Sequence, residues 1–144
     1  MKPHKHVGVM LAMALVLIGC APYKAAKGPI EVGYVLLDDY ASAQKTAISI
    51  IQDPLVPENV KDAIRKADYA ANPLGHPELS PLHIFRDKLK DYVLLKAELD
   101  ALQSAGRDPG QERIDKTKLA LEEAQRAFDS VKPLVLSLIN LADK

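Results

Sequence analysis

"QERIDKTKLALEEAQRAFDSVKPLVLSL", Gln111 to Leu138, repeats an inward-type side chain at steps of 3, 4, 3, 4, 3, 4 and 3: Ile114, Thr117, Leu121, Ala124, Phe128, Val131, Val135 and Leu138. That is a helical period with a narrow seam, the pattern of a helix packed lengthwise against another. Its partner is the segment before it. Ser80-Pro81 pairs an N-cap residue with proline at the first helical position, and Leu82, Phe85, Leu89, Tyr92, Leu95, Leu99 and Leu102 then mark an apolar line that Gly106 closes as a C-terminal cap. Asp108-Pro109-Gly110-Gln111 restarts the chain, with Asp108 placed to cap the next helix and Gln111 to reach back. So short a link makes the two helices a long antiparallel hairpin.

Pro133 interrupts the pattern. Proline inside a helix removes one hydrogen bond and crowds the preceding turn, so a kink or break is expected near Lys132. Beyond it, Leu134, Val135, Leu136, Leu138, Ile139, Leu141 and Ala142 leave only Ser137 and Asn140 as a polar edge. A surface helix does not need an apolar arc that wide. Either this end is the bundle's centre, roofed by the first two helices, or Leu136 and Ile139, off the main seam, dock a partner protein.

Further upstream, prolines mark the joints. Leu36, Tyr40, Ala43, Ala47 and Ile50 line a first helix from about Gly33 to Gln52, ended by Asp53-Pro54. Val60, Ala63, Ile64, Ala67 and Ala71 line a shorter one from about Pro57, with Glu58 near its positive end. Asn72 to Leu79, "NPLGHPEL", holds two prolines and a glycine and reads as a loop. On the outer surface, Glu112 with Lys116 and Glu122 with Arg126 fall four apart, as on a solvated face. Nothing alternates as a sheet strand does. The expected fold is all-α: a small up-and-down bundle of about four helices, the last two forming the hairpin.

Chemistry is sparse. His76 and His83 stand seven apart with Glu78 between them, a spacing that matches no zinc motif, and no Cys-x-x-Cys-His is present for covalent haem. They read as polar residues of a loop and a helix start, so no metal site is expected. Asp38 and Asp39, adjacent on a helix, point about 100° apart and cannot flank one substrate. No serine lies in a nucleophile elbow, and no glycine-rich loop suggests a phosphate site. An enzyme is not expected. Tyr23, Tyr34, Tyr40, Tyr69 and Tyr92 could line a ligand groove, but tyrosines at helical spacing are more often core residues with a wet hydroxyl.

The N-terminal end carries the clearest signal. Met1 to His6 holds two lysines and no acid, and Val7 to Gly19 is uncharged. A positive start followed by an apolar core is the form of a secretory signal; a bilayer crossing wants about 20 apolar residues, and Ala21-Pro22-Tyr23-Lys24 stops the run early. The run ends in Leu17-Ile18-Gly19-Cys20, which resembles the lipobox of bacterial lipoproteins at all four positions. The resemblance covers this processing signal only. It implies cleavage between Gly19 and Cys20, a diacylglycerol on the Cys20 sulfur, and acylation of the new amino group. It also accounts for the chain's single cysteine, because a thioether leaves no free thiol to oxidise outside the cytoplasm. Several acyl chains on one residue hold a protein at a membrane. Within the lipoprotein class, Ala21 in place of an aspartate points to the outer membrane, inner leaflet, facing the periplasm.

The expected organisation is a signal over residues 1–19, a lipidated N-terminus and tether over 20–32, and a bundle over 33–144. Losing 1–19 removes 19 of 144 residues and leaves 125, one domain's worth. Two lysines go with it, so 19 bases against 19 acids become 17 against 19. A charge near −2 gives no reason to expect a nucleic-acid partner. No cofactor is expected beyond the covalent lipid. Two functions suit such a chain: a protein-interaction or accessory module of the cell envelope, with an envelope protein as partner, and a carrier holding a small ligand in the bundle without catalysis. The first needs exposed apolar surface; the second needs a cavity with converging polar groups.

Overall fold

The computed structural model describes residues 28–143, and the expectations for the signal, Gly19, Cys20 and Tyr23 lie outside them. The described chain is all-α, a small bundle of four helices: α1 Pro29–Gln52, α2 Glu58–Ala71, α3 Pro81–Ser104 and α4 Gln111–Ala142. The most extensive packing is between α3 and α4, the expected long hairpin.

Cross-helix pairs fix the directions. Lys88 Nζ meets Glu123 Oε2 at 2.6 Å and Arg113 Nε meets Glu98 Oε1 at 2.9 Å, so α3 and α4 are antiparallel. Deeper in the seam, the rings of Phe85 and Phe128 meet edge to face with centroids 5.7 Å apart. Ile30 packs beside Tyr92, Ala120 and Ala124, whereas Leu36, Tyr40, Ala43 and Ala47 share a cluster with Phe128, Val131, Val135 and Leu138. Helix α1 therefore runs parallel to α4. Helix α2 turns back against α1, bringing Asp68 to Tyr40. Both α2 and α3 thus run antiparallel to α4, and α2 contributes Ile64 and Ala71 to the cluster around the C-terminal half of α4.

Most of the inward lines read from periodicity are the core, but Leu99, Leu102 and Ile114 at the hairpin tip are only half-buried, and Ala120, off the expected line, is buried beside half-buried Leu121. Leu36, Ile64, Val131, Val135 and Leu138 are completely buried, and Phe85 and Leu89 nearly so. The wide apolar arc at the end of α4 is central rather than superficial: Leu134, Ile139 and Leu141 pack on the same cluster as Val135 and Leu138.

Local capping follows the sequence at two of three joints. Ser80 Oγ accepts the His83 backbone N–H at 3.2 Å, as an N-cap should, with Pro81 at the first helical position. After α3, Gly106 takes φ +66°, its N–H reaches the Gln103 carbonyl at 3.0 Å, and the Arg107 N–H reaches that of Leu102 at 2.9 Å. These are the two bonds of a Schellman end. Asp108, in contrast, does not cap α4. It accepts the Gly110 N–H at 2.9 Å, closing a turn before the helix, while the Gln111 amide donates forward to Asp115 at 2.8 Å. The cap position belongs to Gly110, whose φ of +75° gives the chain its entry angle.

Three further expectations are corrected. Helix α1 begins at Pro29, not Gly33: proline suits the first helical position, Glu31 lies in the positive first turn, and Ile30 and Val32 pack on the core. Gly33 is buried within the helix because α3 presses on it; a Cβ there would lie 2.7 Å from Leu89 Cδ2 and 3.2 Å from Phe85 Cζ. Helix α4 runs unbroken through Pro133. Pro133 and Asp129, whose carbonyl loses its usual donor, are both exposed, so the missing bond falls on the wet side. Within the 72–79 loop, Pro77–Leu79 forms a single 3₁₀ turn. The expected Glu112–Lys116 pair is present at 2.7 Å.

Polar groups tie the helices where α2 ends. The Tyr40 hydroxyl donates to Asp68 Oδ1 at 2.7 Å and accepts from Gln44 Nε2 at 3.3 Å. Ser80 is fully buried, its hydroxyl 3.0 Å from Asn72 Oδ1 and 3.3 Å from the Ala71 carbonyl oxygen. Burial and the Asp68 carboxylate hold the Tyr40 phenol well above its ordinary value. A group whose pKa rises on folding stabilises the fold below its unfolded value and loses that contribution as pH climbs past it. Tyr40→Phe is therefore expected to cost about 1.5–3 kcal/mol at neutral pH, the worth of a hydrogen bond to a charged group. In denaturant melts, the gap between wild type and variant should narrow above pH about 10, the ordinary phenol value.

Candidate functional site

Of the residues proposed from sequence, Leu136 and Ile139 differ in burial. Leu136 is 36 % exposed, while Ile139 is half-buried and packs on the main core. Steps of three on a helix differ by about 60°, so the two are neighbours on one side of α4, with Ile139 the deeper. His76 Nδ1 lies 3.3 Å from Glu78 Oε1 on the exposed loop, and His83 sits in the first turn of α3. Among the described residues, no three His, Cys, Asp or Glu side chains come together as metal ligands would. Asp38 is exposed on α1 beside half-buried Asp39. Tyr40 and Tyr92 are core residues, whereas Tyr34 and Tyr69 are more than half exposed.

The more continuous apolar surface lies elsewhere, along α3 and its neighbours. Leu94 is 59 % exposed and stands between two grooves. One, about 440 Å³, is walled by Leu95, Leu119 and Ala120, with Asp91, Lys116 and Glu123 at its edge. The other, about 250 Å³, is walled by Tyr34, Leu37, Leu89 and Val93, with Arg86 and Lys90 at its edge. Leu119, facing the first groove, is 53 % exposed.

Local geometry explains the strip. Val93-Leu94-Leu95 sweeps about 200° of the helix, and the seam with α4 uses the line of Tyr92 and Leu95, so Leu94 is left outside. Sequence reading passed over it, although consecutive leucines that cannot share one seam were the available signal. Leu119, beside buried Ala120, is displaced in the same way.

One rim carboxylate is held by an ion pair across the hairpin. Lys88, hydrogen-bonded to Glu123 at 2.6 Å, holds that carboxyl below its ordinary range and is itself raised. The hydrogen bond from Lys116 holds the Glu112 carboxyl below its ordinary range as well. A third groove, about 240 Å³, runs between α1, α3 and α4 beside Phe85, Tyr92, Leu121 and Phe128. Among the described residues, no helix is long and apolar enough to cross a membrane.

No protein-family model matches the chain, and neither a curated protein nor a solved structure matches it.

The different surroundings of the two sequence-proposed positions make separable expectations. Ile139→Ser should cost about 1–3 kcal/mol, as loss of a packed core side chain does, and Leu136→Ser no more than about 0.5 kcal/mol. Thermal and denaturant melts of the two single variants read the difference directly.

Proposed function

We propose that the chain is a bacterial envelope lipoprotein, cleaved before Cys20 and acylated on it. It holds a small helical bundle at the outer membrane, facing the periplasm, as a protein-interaction module without a catalytic step. The observation that carries the address is Leu17-Ile18-Gly19-Cys20 behind a charged start and an uncharged run. What supports an interaction role is the apolar strip around Leu94, rimmed by charges that leave its floor without converging polar groups. Such a strip suits another protein better than a small polar ligand.

A carrier role takes second place. The groove beside Leu94 is about 440 Å³ but open and without converging polar groups, and the one between α1, α3 and α4, at about 240 Å³, is below the usual span of ligand pockets, about 300–1,000 Å³. Its apolar walls of Phe85, Leu121 and Phe128 would suit only a small apolar guest.

Metabolic labelling with a fatty-acid analogue tests the address. The wild-type chain should take up label and sediment with outer membranes; Cys20→Ser should take up none and accumulate with residues 1–19 still attached. Label on the serine variant, or wild-type chain found wholly in the soluble fraction, would overturn the reading.

A further inference from the structure

Helices α3 and α4 run on past the rest of the bundle. Among the described residues, α1 starts at Pro29, and Ile30 in its first turn packs on the small cluster of Tyr92, Ala120 and Ala124. Helix α2 serves the other end, where Ile64 and Ala71 join Val131, Val135 and Leu138. From Lys96 to Lys116, by contrast, no residue is buried. The inward lines continue there through Leu99, Leu102 and Ile114, each only half-buried. The stretch is a hairpin arm with limbs Lys96 to Ser104 and Gln111 to Lys116, the longer about 13 Å at 1.5 Å per residue.

Each limb continues a helix rooted in the bundle, so its nucleation is already met. Propagation alone, however, is nearly neutral per residue in water, and packing of an apolar face normally supplies the rest. Here that packing is thin. Arg113 meets Glu98 across the arm at 2.9 Å, but both side chains are 52 % exposed, and exposed ion pairs add little. Lys96 with Asp100 and Lys116 with Glu112 each stay within one limb. The tip turns through Gly106 and Gly110, both at positive φ. Thr117 marks the inner limit: it is buried, and its hydroxyl donates to the Arg113 carbonyl at 2.8 Å.

We propose that the arm from Lys96 to Lys116 opens as a unit of its own while the bundle stays folded, its two limbs melting together from the tip as far as Leu95 and Thr117. Opening is concerted because Leu99, Leu102 and Ile114 lose their cover in one step when the limbs part. It stops at the roots, where Tyr92, Ala120 and Ala124 are held by Ile30 of α1. The fold thus carries a segment that rearranges at a fraction of the cost of global unfolding. The inference goes beyond the envelope reading and does not need a lipid on Cys20.

Hydrogen exchange on the purified full chain tests this. Backbone amides of 98–104 and 114–116 should exchange at least about 100-fold faster than those between Phe128 and Leu138. Low urea should accelerate the core amides steeply and the arm amides hardly at all, because the slope follows the surface exposed on opening. Equal protection in the two regions, or equal urea slopes, would overturn the proposal. A second measurement uses Ala101→Pro, at an exposed position inside the α3 limb, where proline breaks the helix. The variant should lose the arm's share of helical ellipticity and the remaining protection of 98–104, yet melt within about a degree of wild type, since the core is left as it was. A variant that melts many degrees lower, or that does not fold, would show the arm and the bundle to be one cooperative unit and sink the idea.

Discussion

The C-terminal half of α4 carries more apolar surface than one neighbouring helix can cover, and the arrangement of the other three follows from that. Val131, Val135 and Leu138 are fully buried, and Leu134, Ile139 and Leu141 widen the same arc. A seam of knobs and holes uses a narrow stripe; an arc this broad needs cover from more than one side. Helix α1 lies parallel to it and α2 antiparallel, while Phe85 and Leu89 of α3 close the cluster from below. Pro133 survives in the middle of α4 because it sits on the exposed side, where the carbonyl it orphans is not sealed away from solvent.

Once the helices are gathered around α4, two kinds of contact fix their positions. One is close packing without side chain: Gly33 lets α1 approach until Leu89 and Phe85 occupy the space a Cβ would need. The other is polar and satisfied. Tyr40 with Asp68 holds α1 to α2, and Ser80 joins the last residues of α2 to the first turn of α3. A buried hydroxyl with donor and acceptor both engaged costs little and specifies one arrangement, whereas an unpaired one would be a net loss.

The same geometry divides the bundle into a half roofed by both α1 and α2 and a more open one. Around Val131 to Leu138, α1 and α2 complete the core, while Ile48, Leu55 and Leu136 stay exposed at its edge. Toward the hairpin tip the cover thins, and Leu94 and Leu119 stand more than half exposed. Pro29, where the described chain begins, lies beside Leu121 and Gln125 at the border of that open half. On the proposed reading, residues 20–28 extend at most about 30 Å, so a lipid on Cys20 would keep the apolar strip close to its membrane.

Much of this was legible in the residues themselves. Helix stops at Asp53-Pro54 and Gly106, the start at Ser80-Pro81 and the inward lines of all four helices depend on torsions, hydrogen bonds and side-chain spacing within a few residues, and these are written locally. The resemblance to a lipobox on which the proposed address rests is local as well. Tertiary structure alone decided which sides of each helix are covered. Gly33 looks like a helix boundary until α3 is laid against it, Pro133 looks like a break until its exposed position is known, and that Ile139 is more buried than Leu136 shows only in the assembled bundle. Leu94 and Leu119 belong to that second group: their chemistry is plain in the sequence, but whether an apolar side chain is core or surface depends on a neighbour far away in the chain, and burial is a property of the assembled helices.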